Sequence, residues 1–151
     1  MQKGSGLINT GSAVSGTKVM VNADTLFTIA NGPIILLGLV SICISANDTT
    51  ASTLQYQANP TVGSAKTISA ASATLASATA GTTVSLNQTS LATAPDIVTA
   101  ANGGVAIQPN VANRMIIPAG TIKAVIGVGS TTGTWQHFIS FIPLAPGVTV
   151  S

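Results

Sequence analysis

Charged side chains are nearly missing from this chain of 151 residues. They make up 5% of it, against about 25% in an average globular protein, and glutamate does not occur at all. A freely diffusing protein usually keeps about a quarter to a third of its surface charged, which keeps it in solution. Here Thr, Ser, Asn, Gln and backbone must form the surface instead. Such a surface favours a protein that is packed against neighbours in an assembly.

The few cations do not form a cluster, although the calculated pI is near 9.0. Proteins that bind nucleic acids concentrate Lys and Arg, because affinity grows with each neutralised phosphate. We therefore expect no direct binding of nucleic acid. Arg114 and Lys123 are interpreted as solvated charges, with pairing to acidic groups of a partner as the alternative. The five cations are Lys3, Lys18, Lys66, Arg114 and Lys123.

The single cysteine and the short apolar runs exclude further classes. Cys43 has no second cysteine to pair with, and its apolar neighbours predict a small buried side chain. The longest apolar run, residues 34–44, is shorter than the about 20 residues that a membrane-spanning helix needs. The N-terminus lacks the apolar core of a signal peptide. We therefore expect a cytoplasmic product and no membrane partner.

Groups for catalysis are equally scarce. His137 is the only histidine, and no serine is marked as its nucleophilic partner. The acids Asp24, Asp48 and Asp96 each lie beside turn residues, where Asp bonds backbone amides. Zinc needs three or four His, Cys or acidic ligands, which this chain cannot easily supply. The sequence predicts no enzyme, no catalytic residue, no metal site and no cofactor.

Short β-type runs alternate with turn residues along most of the chain. Residues 1–16 are predicted to be a flexible N-terminal arm, and residues 17–151 a β domain. In the run 17–21, Val19 and Val21 are placed on one face of a strand. The run 34–45 is apolar at both odd-numbered and even-numbered positions, which predicts a strand buried on both faces. Further strands are predicted over 25–33, 53–60 and 82–86.

The region 64–104 is ambiguous, since it is rich in Ala, Ser and Thr. We expect a loop over most of it, and a short helix after Pro95 that ends near residues 102–104. The last third is clearer. Residues 115–130 and 134–144 are predicted to form an antiparallel hairpin across the turn 130–133. The fold class is therefore all-β, a single-domain antiparallel sandwich or barrel with jelly-roll-like topology.

The stretch GSTTGTWQHFISFIPL, residues 129–144, contains the only Trp and the only His. In a strand, Trp135, His137, Ile139 and Phe141 share one face. Two large aromatic side chains flank the histidine on that face. Trp135, His137 and Phe141 are therefore interpreted as a wall of the core or of a subunit interface. An interface position would make assembly sensitive to pH near the usual pKa of histidine, about 6.5.

Several short motifs resemble those of small virion proteins of tailed bacteriophages. They are IPAGTI (117–122), STTGTW (130–135), FIPL (141–144) and GVTV (147–150), with NGP (31–33) and LQYQANP (54–60) in the N-terminal half. Such proteins include the decoration, or cement, proteins of icosahedral capsids. The resemblance implies a β-rich fold, a homo-oligomer with a trimer favoured, and binding to the lattice of the major capsid protein at the capsid surface of the virion.

Three hypotheses follow, and the first is a decoration protein that stabilises the capsid. Its expected contacts lie in the arm, at Lys3, Gly4, Ser5, Gly6 and Leu7, and at polar loop tips. The alternative is a tail-fibre or receptor-binding module of a phage virion. The third is an enzyme or small-ligand binder built around His137, which the shortage of catalytic groups disfavours.

Overall fold

The computed structural model describes residues 10–86, 94–98, 114–129 and 132–151. Within these residues every regular element is a β-strand, so the all-β expectation is confirmed. The strands are β1 (Gly11–Val14), β2 (Lys18–Val19), β3 (Thr25–Ala30), β4 (Ile34–Cys43), β5 (Leu54–Pro60), β6 (Lys66–Thr67), β7 (Thr83–Ser85), β8 (Asp96–Val98), β9 (Met115–Ile117), β10 (Gly120–Ile126), β11 (Thr134–Pro143) and β12 (Thr149–Val150).

The strands form two antiparallel sheets that pack face to face as a sandwich, rather than one closed barrel. Sheet A has the order β1-β11-β4-β7-β8, with β2 beside β11 and β9 beside β4. Sheet B has the order β12-β3-β10-β5-β6. Inward-facing side chains of both sheets form one apolar core, because residues alternate between the two faces along each strand.

The pairings nest inside one another along the chain. Strand β1 pairs with β11, β3 with β10, β4 with β7, and β5 with β6. Members of successive pairs alternate between sheets A and B, so the chain winds as a folded-over ribbon of antiparallel pairs. This is jelly-roll connectivity, as the sequence predicted.

The prediction that residues 115–130 and 134–144 form an antiparallel hairpin is wrong. Strand β10 lies in sheet B between β3 and β5, whereas β11 lies in sheet A between β1 and β4. The inward faces of the two strands each carry large apolar side chains, and these faces meet across the core instead of lying side by side in one sheet. The connection after Ile126 therefore crosses from one sheet to the other.

One further local prediction fails. The segment after Pro95 forms β8, paired with β7, where a short helix was expected. Pairing with a neighbouring strand decides the local structure there, which outweighs weak intrinsic preference. In the run 17–21, strand β2 comprises only Lys18–Val19, Met20 is fully buried, and Val21 is 48% exposed.

The sheet begins inside the segment predicted to be an arm. Residues Gly11–Val14 form β1 at the edge of sheet A, in register with Phe138–Phe141 of β11. A Cβ at Gly11 would collide with the ring of Phe141, so glycine lets β1 lie close over that ring. The rest of the predicted arm, including Lys3, Gly4, Ser5, Gly6 and Leu7, lies outside the described residues.

Candidate functional site

The aromatic wall of β11 faces the interior of the sandwich. Trp135 and His137 have no exposed surface, and Phe141 is 6% exposed. Their side chains point toward sheet B, while Gln136, Phe138 and the alternate positions of β11 point outward. His137 is therefore placed in the core of this chain and not at a surface that a second subunit could reach.

A polar network surrounds His137 inside the apolar core. Ser41 on β4 lies directly opposite His137 in register, with its Oγ 2.7 Å from Nδ1 of the imidazole. The same Oγ is 2.9 Å from the hydroxyl of Tyr56 on β5, which is also 3.4 Å from the carbonyl of Val84. The network thus joins sheet A to sheet B through two buried hydroxyl groups.

One atom of this network stays unsatisfied. Within the described part of the chain, Nε2 of His137 is buried and has no hydrogen-bond partner. Burial lowers the pKa of His137 to about 4, with the charge of Lys18 adding to the effect and Asp24 opposing it. Burial likewise raises the pKa of Tyr56 far above its usual value, so both side chains are neutral at physiological pH.

The contact between Ser41 and His137 has the residue types of a nucleophile and its base. Both side chains are fully buried, however, and so is Tyr56. A substrate cannot touch Ser41 Oγ in this conformation, since a reacting atom must come within about 3 Å of the nucleophile. The arrangement can fix the spacing and register of the two sheets, because each buried hydrogen bond is lost if either sheet slides.

Asn47 organises a second polar centre at one end of the sandwich. Its Oδ1 accepts hydrogen bonds from Nε1 of Trp135 and from the backbone N–H of Gly133, each at 3.1 Å. Its Nδ2 donates to the carbonyl of Leu75 at 3.0 Å. This single side chain therefore holds the start of β11 and satisfies the indole N–H, as buried Trp requires.

Turn positions were predicted for all three acids, and Asp24 and Asp48 occupy them, whereas Asp96 is the first residue of β8. Asp48 Oδ1 accepts the N–H of Thr50, and this bond lowers the pKa of Asp48. Asp24 follows a turn closed by its N–H to Val21, and it also forms an ion pair with Lys18 at 2.9 Å. The side chain of Asp96 lies outside what the structure describes. In the described residues no group of three or more His, Cys, Asp or Glu side chains could hold a metal ion.

The outer face of sheet B is polar, and we call it the polar face. Thr121 lies between Thr28 and Asn59, and Lys123 lies beside Gln57. Val125 is its one large aliphatic side chain on β10, opposite Gln55. This alternation of apolar inside and polar outside is usual where an antiparallel sheet meets water.

The outer face of sheet A is the opposite, and we call it the apolar face. Ile35 of β4 lies in a cross-strand row between Ile116 and Ile142. Phe138 of β11 lies in a second row between Val14 and Val40. Its members on β1, β4, β9 and β11 are uncharged, and we restrict the name apolar face to these four strands. Beyond β4 the sheet continues with Ser85 of β7 and Asp96 of β8 in register with Val40, so a charged residue occupies the border of the face. The members of the apolar face are Ser12, Val14, Ile35, Leu37, Gly38, Val40, Ile42, Ile116, Gln136, Phe138, Ser140 and Ile142.

These side chains are only partly covered. Ile116 is 64% exposed and Val14 is 54% exposed, and the other large members are half-buried. Contiguous apolar surface of this kind is found at protein and membrane contacts and at ligand-binding grooves. The two-sided apolar pattern of residues 34–45 was its signal in the sequence. Burial on both sides was predicted for that strand, and the outer side chains are half-buried instead.

An open groove of about 420 Å³ runs across the apolar face. The small residues Ser12, Ser140 and Gly38 form a cross-strand row within it, between the Phe138 row and the Ile35 row. The face is therefore a ridge, a trough and a second ridge. This relief provides a surface that a complementary ridge can enter.

The described residues contain no helix of the length and apolar character needed to cross a bilayer. No protein-family model, curated protein sequence or solved structure matches the chain.

Proposed function

We propose that this protein is a structural subunit of a virus particle, a decoration protein that binds the lattice of the major capsid protein and stabilises it. The observation that carries the proposal is the contrast between the two outer faces of the sandwich. One face has the polar side chains of a water-exposed sheet, and the other has the uncharged apolar side chains of a buried interface.

Two further features support an assembly role. The chain has 5% charged residues, which suits a surface that is largely covered by neighbours. Jelly-roll sandwiches occur in viral capsid proteins, although they also occur in lectins, so the fold supports the proposal only as an analogy. The resemblance of the short motifs to phage virion proteins points in the same direction.

The function needs no chemical step. A decoration protein acts through many weak contacts that a symmetric lattice repeats, and their sum exceeds the affinity of any one contact. The jelly-roll core supplies a rigid body for these contacts. The predicted arm at Lys3–Leu7 is the proposed contact with the major capsid protein, and the polar face of sheet B is proposed to meet solvent.

Binding to particles tests the proposal. Empty capsids assembled from the major capsid protein of the same source, without this protein, are mixed with the full chain and sedimented. We expect saturable binding, and cryo-electron microscopy of the pellet is expected to place density at repeated lattice positions. Absence of binding would overturn the proposal, and density confined to the tail or to one vertex would replace it with the tail-fibre module.

A truncated chain locates the contact. Removing residues 1–9 leaves β1 intact, because that strand begins at Gly11. We expect the truncated chain to keep its unfolding midpoint and to lose most of its affinity for the empty capsids. The matched control is Gln57→Lys on the polar face, which is expected to bind as the full chain does.

A further inference from the structure

The relief of the apolar face is self-complementary. The Phe138 row and the trough row of Ser140 are two residues apart on the same strand, about 7 Å along it. A two-fold axis that lies in the interface, parallel to these rows and midway between them, carries the ridge of one copy onto the trough of another. Each copy then inserts its Phe138 row into the other's groove, and the contact is made twice.

We propose that the apolar face is covered by a second copy of this chain, packed face to face about such a two-fold axis. The inference deepens the assembly role proposed above and rests on it for its biological setting. The two-fold contact is isologous, since the same patch serves both partners. It makes a dimer the basic unit, in place of the trimer that the motif resemblance implies.

Charge favours this occupant. The outward positions of β1, β4, β9 and β11 include no Lys, Arg, Asp or Glu. Asp96, in register with Val40, lies two strands away on β8, so pairing the four-strand face with itself brings no like charges together at its centre. Pairing the polar face with itself would bring two copies of Lys123 toward each other. A second copy therefore offers the apolar face a surface of the same chemistry at no cost in buried charge.

The area is also sufficient. Strands β4 and β11 have ten residues each. Each strand is about 33 Å long, and together with their neighbouring strands they form a sheet about 14–19 Å wide across the strands. The area of the face is therefore about 500 Å² per copy. Two such faces bury about 1,000 Å², the lower limit for a specific interface. The dimer is thus expected to dissociate on dilution.

The test measures the mass of the full chain by light scattering over a wide range of protein concentration. We expect a two-chain mass that falls to one chain on dilution. Val40→Lys puts an ammonium group into the centre of the interface and is expected to weaken the dimer at least about 100-fold. The matched control, Gln57→Lys, places the same charge on a half-buried position of the polar face and is expected to leave the dimer unchanged.

A cross-link keeps the inference testable if Val40→Lys does not fold. Ser140→Cys lies in the trough row, close to the proposed axis, and Cys43 does not compete because it is 1% exposed. A short bifunctional maleimide is expected to link two copies of Ser140→Cys and to leave Gln57→Cys unlinked. Equal linking of both variants would contradict the assigned face.

The other outcomes overturn the pairing and name another occupant. If the wild-type chain is a monomer and Val40→Lys abolishes its binding to capsids, the face is assigned to the capsid lattice and the proposed function stands. A monomer in which the thiol of Ser140→Cys is protected from a maleimide would assign the face to another part of the same chain, and a three-chain mass would restore the trimer. A dimer that fails to bind capsids would instead sink the proposed function and leave the pairing intact.

Discussion

Ser41 Oγ and His137 Nδ1 lie 2.7 Å apart on paired strands, in an interior where neither side chain has exposed surface. Three hydrogen bonds form a chain from the imidazole through the hydroxyl groups of Ser41 and Tyr56, and the chain ends at the carbonyl of Val84. If Nδ1 carries the proton, His137 donates to Ser41, Ser41 donates to Tyr56, and Tyr56 donates to that carbonyl. Every donor is then used, and Nε2 is left as a bare acceptor.

The first prediction concerns this tautomer. With the proton on Nε2, a buried N–H would have no partner, and a buried N–H of this kind is rare in folded proteins. We expect His137 to carry its proton on Nδ1 at pH 7. A long-range nitrogen-15 correlation spectrum distinguishes the two tautomers. A spectrum with the proton on Nε2 would contradict the direction of the network.

The second prediction concerns acid. His137 has a pKa of about 4 in the folded chain and about 6.5 when unfolded, so the unfolded chain binds its proton first as pH falls. The stabilisation is present above pH 6.5 and is lost between pH 6.5 and about 4. The total loss is about 3 kcal/mol, with about 2 kcal/mol of it by pH 5. Denaturant unfolding at a series of pH values measures it.

The pH window is specific because His137 is the only histidine in the chain, and histidine is the side chain whose usual pKa lies between about pH 5 and 8. His137→Gln removes the titrating group and is expected to give a stability that is flat between pH 7 and 5. A wild-type stability that is flat over the same range would show that the imidazole is solvated. The expected change is a loss of fold stability, rather than the interface effect near pH 6.5 that the sequence suggested.

The third prediction is a matched pair of serine substitutions. Ser41→Ala leaves Nδ1 of His137 and the hydroxyl of Tyr56 without their shared partner. We expect it to lower the free energy of unfolding by about 1–3 kcal/mol. Ser140→Ala, at an outward position on β11, is expected to change it by less than about 0.5 kcal/mol. Denaturant unfolding followed by Trp135 fluorescence compares them, and equal effects would contradict the role of the network.

The fourth prediction concerns Gly120, the first residue of β10. Its φ is +148°, and a Cβ there would collide with the carbonyl of Asn59. Gly120→Ala therefore combines backbone strain with a clash, and we expect it to cost at least about 3 kcal/mol. Gly63 also has a positive φ, +110°, but an added Cβ there would make only an ordinary contact, at 3.9 Å, with the side chain of Pro60. Gly63→Ala is expected to cost only about 1 kcal/mol, so thermal melts of the pair separate the clash from the strain.

The sequence predicted the strands more accurately than their pairing. Because side chains alternate between the two faces of a strand, residue numbering alone was enough to place Trp135, His137 and Phe141 on one face. The predicted hairpin failed because β10 and β11 are both amphipathic and joined by a short polar stretch, which also fits two strands that face each other across a core. Pattern along one strand does not tell which sheet a strand joins.

The candidate site was readable only in part. The apolar parity of residues 34–45 indicated that both sides of β4 needed cover, and the apolar face is the outer of those sides. Ser41 and Tyr56 gave no signal, since their meeting depends on the packing of two sheets. Asn47 looked like an ordinary turn residue, and its contact with Trp135 joins positions far apart in the chain.

The nested pairing has a consequence for synthesis on the ribosome. The central strand of sheet B, β10, and the strand that joins β1 to β4 in sheet A, β11, both come from the last third of the chain. Until Ile126 has been made, β3 has no link to β5, and until Pro143 has been made, β1 has no partner. Pairs such as β4 with β7 can form earlier, but neither sheet can be completed before the last third of the chain is made, so folding is expected to be a late, cooperative event.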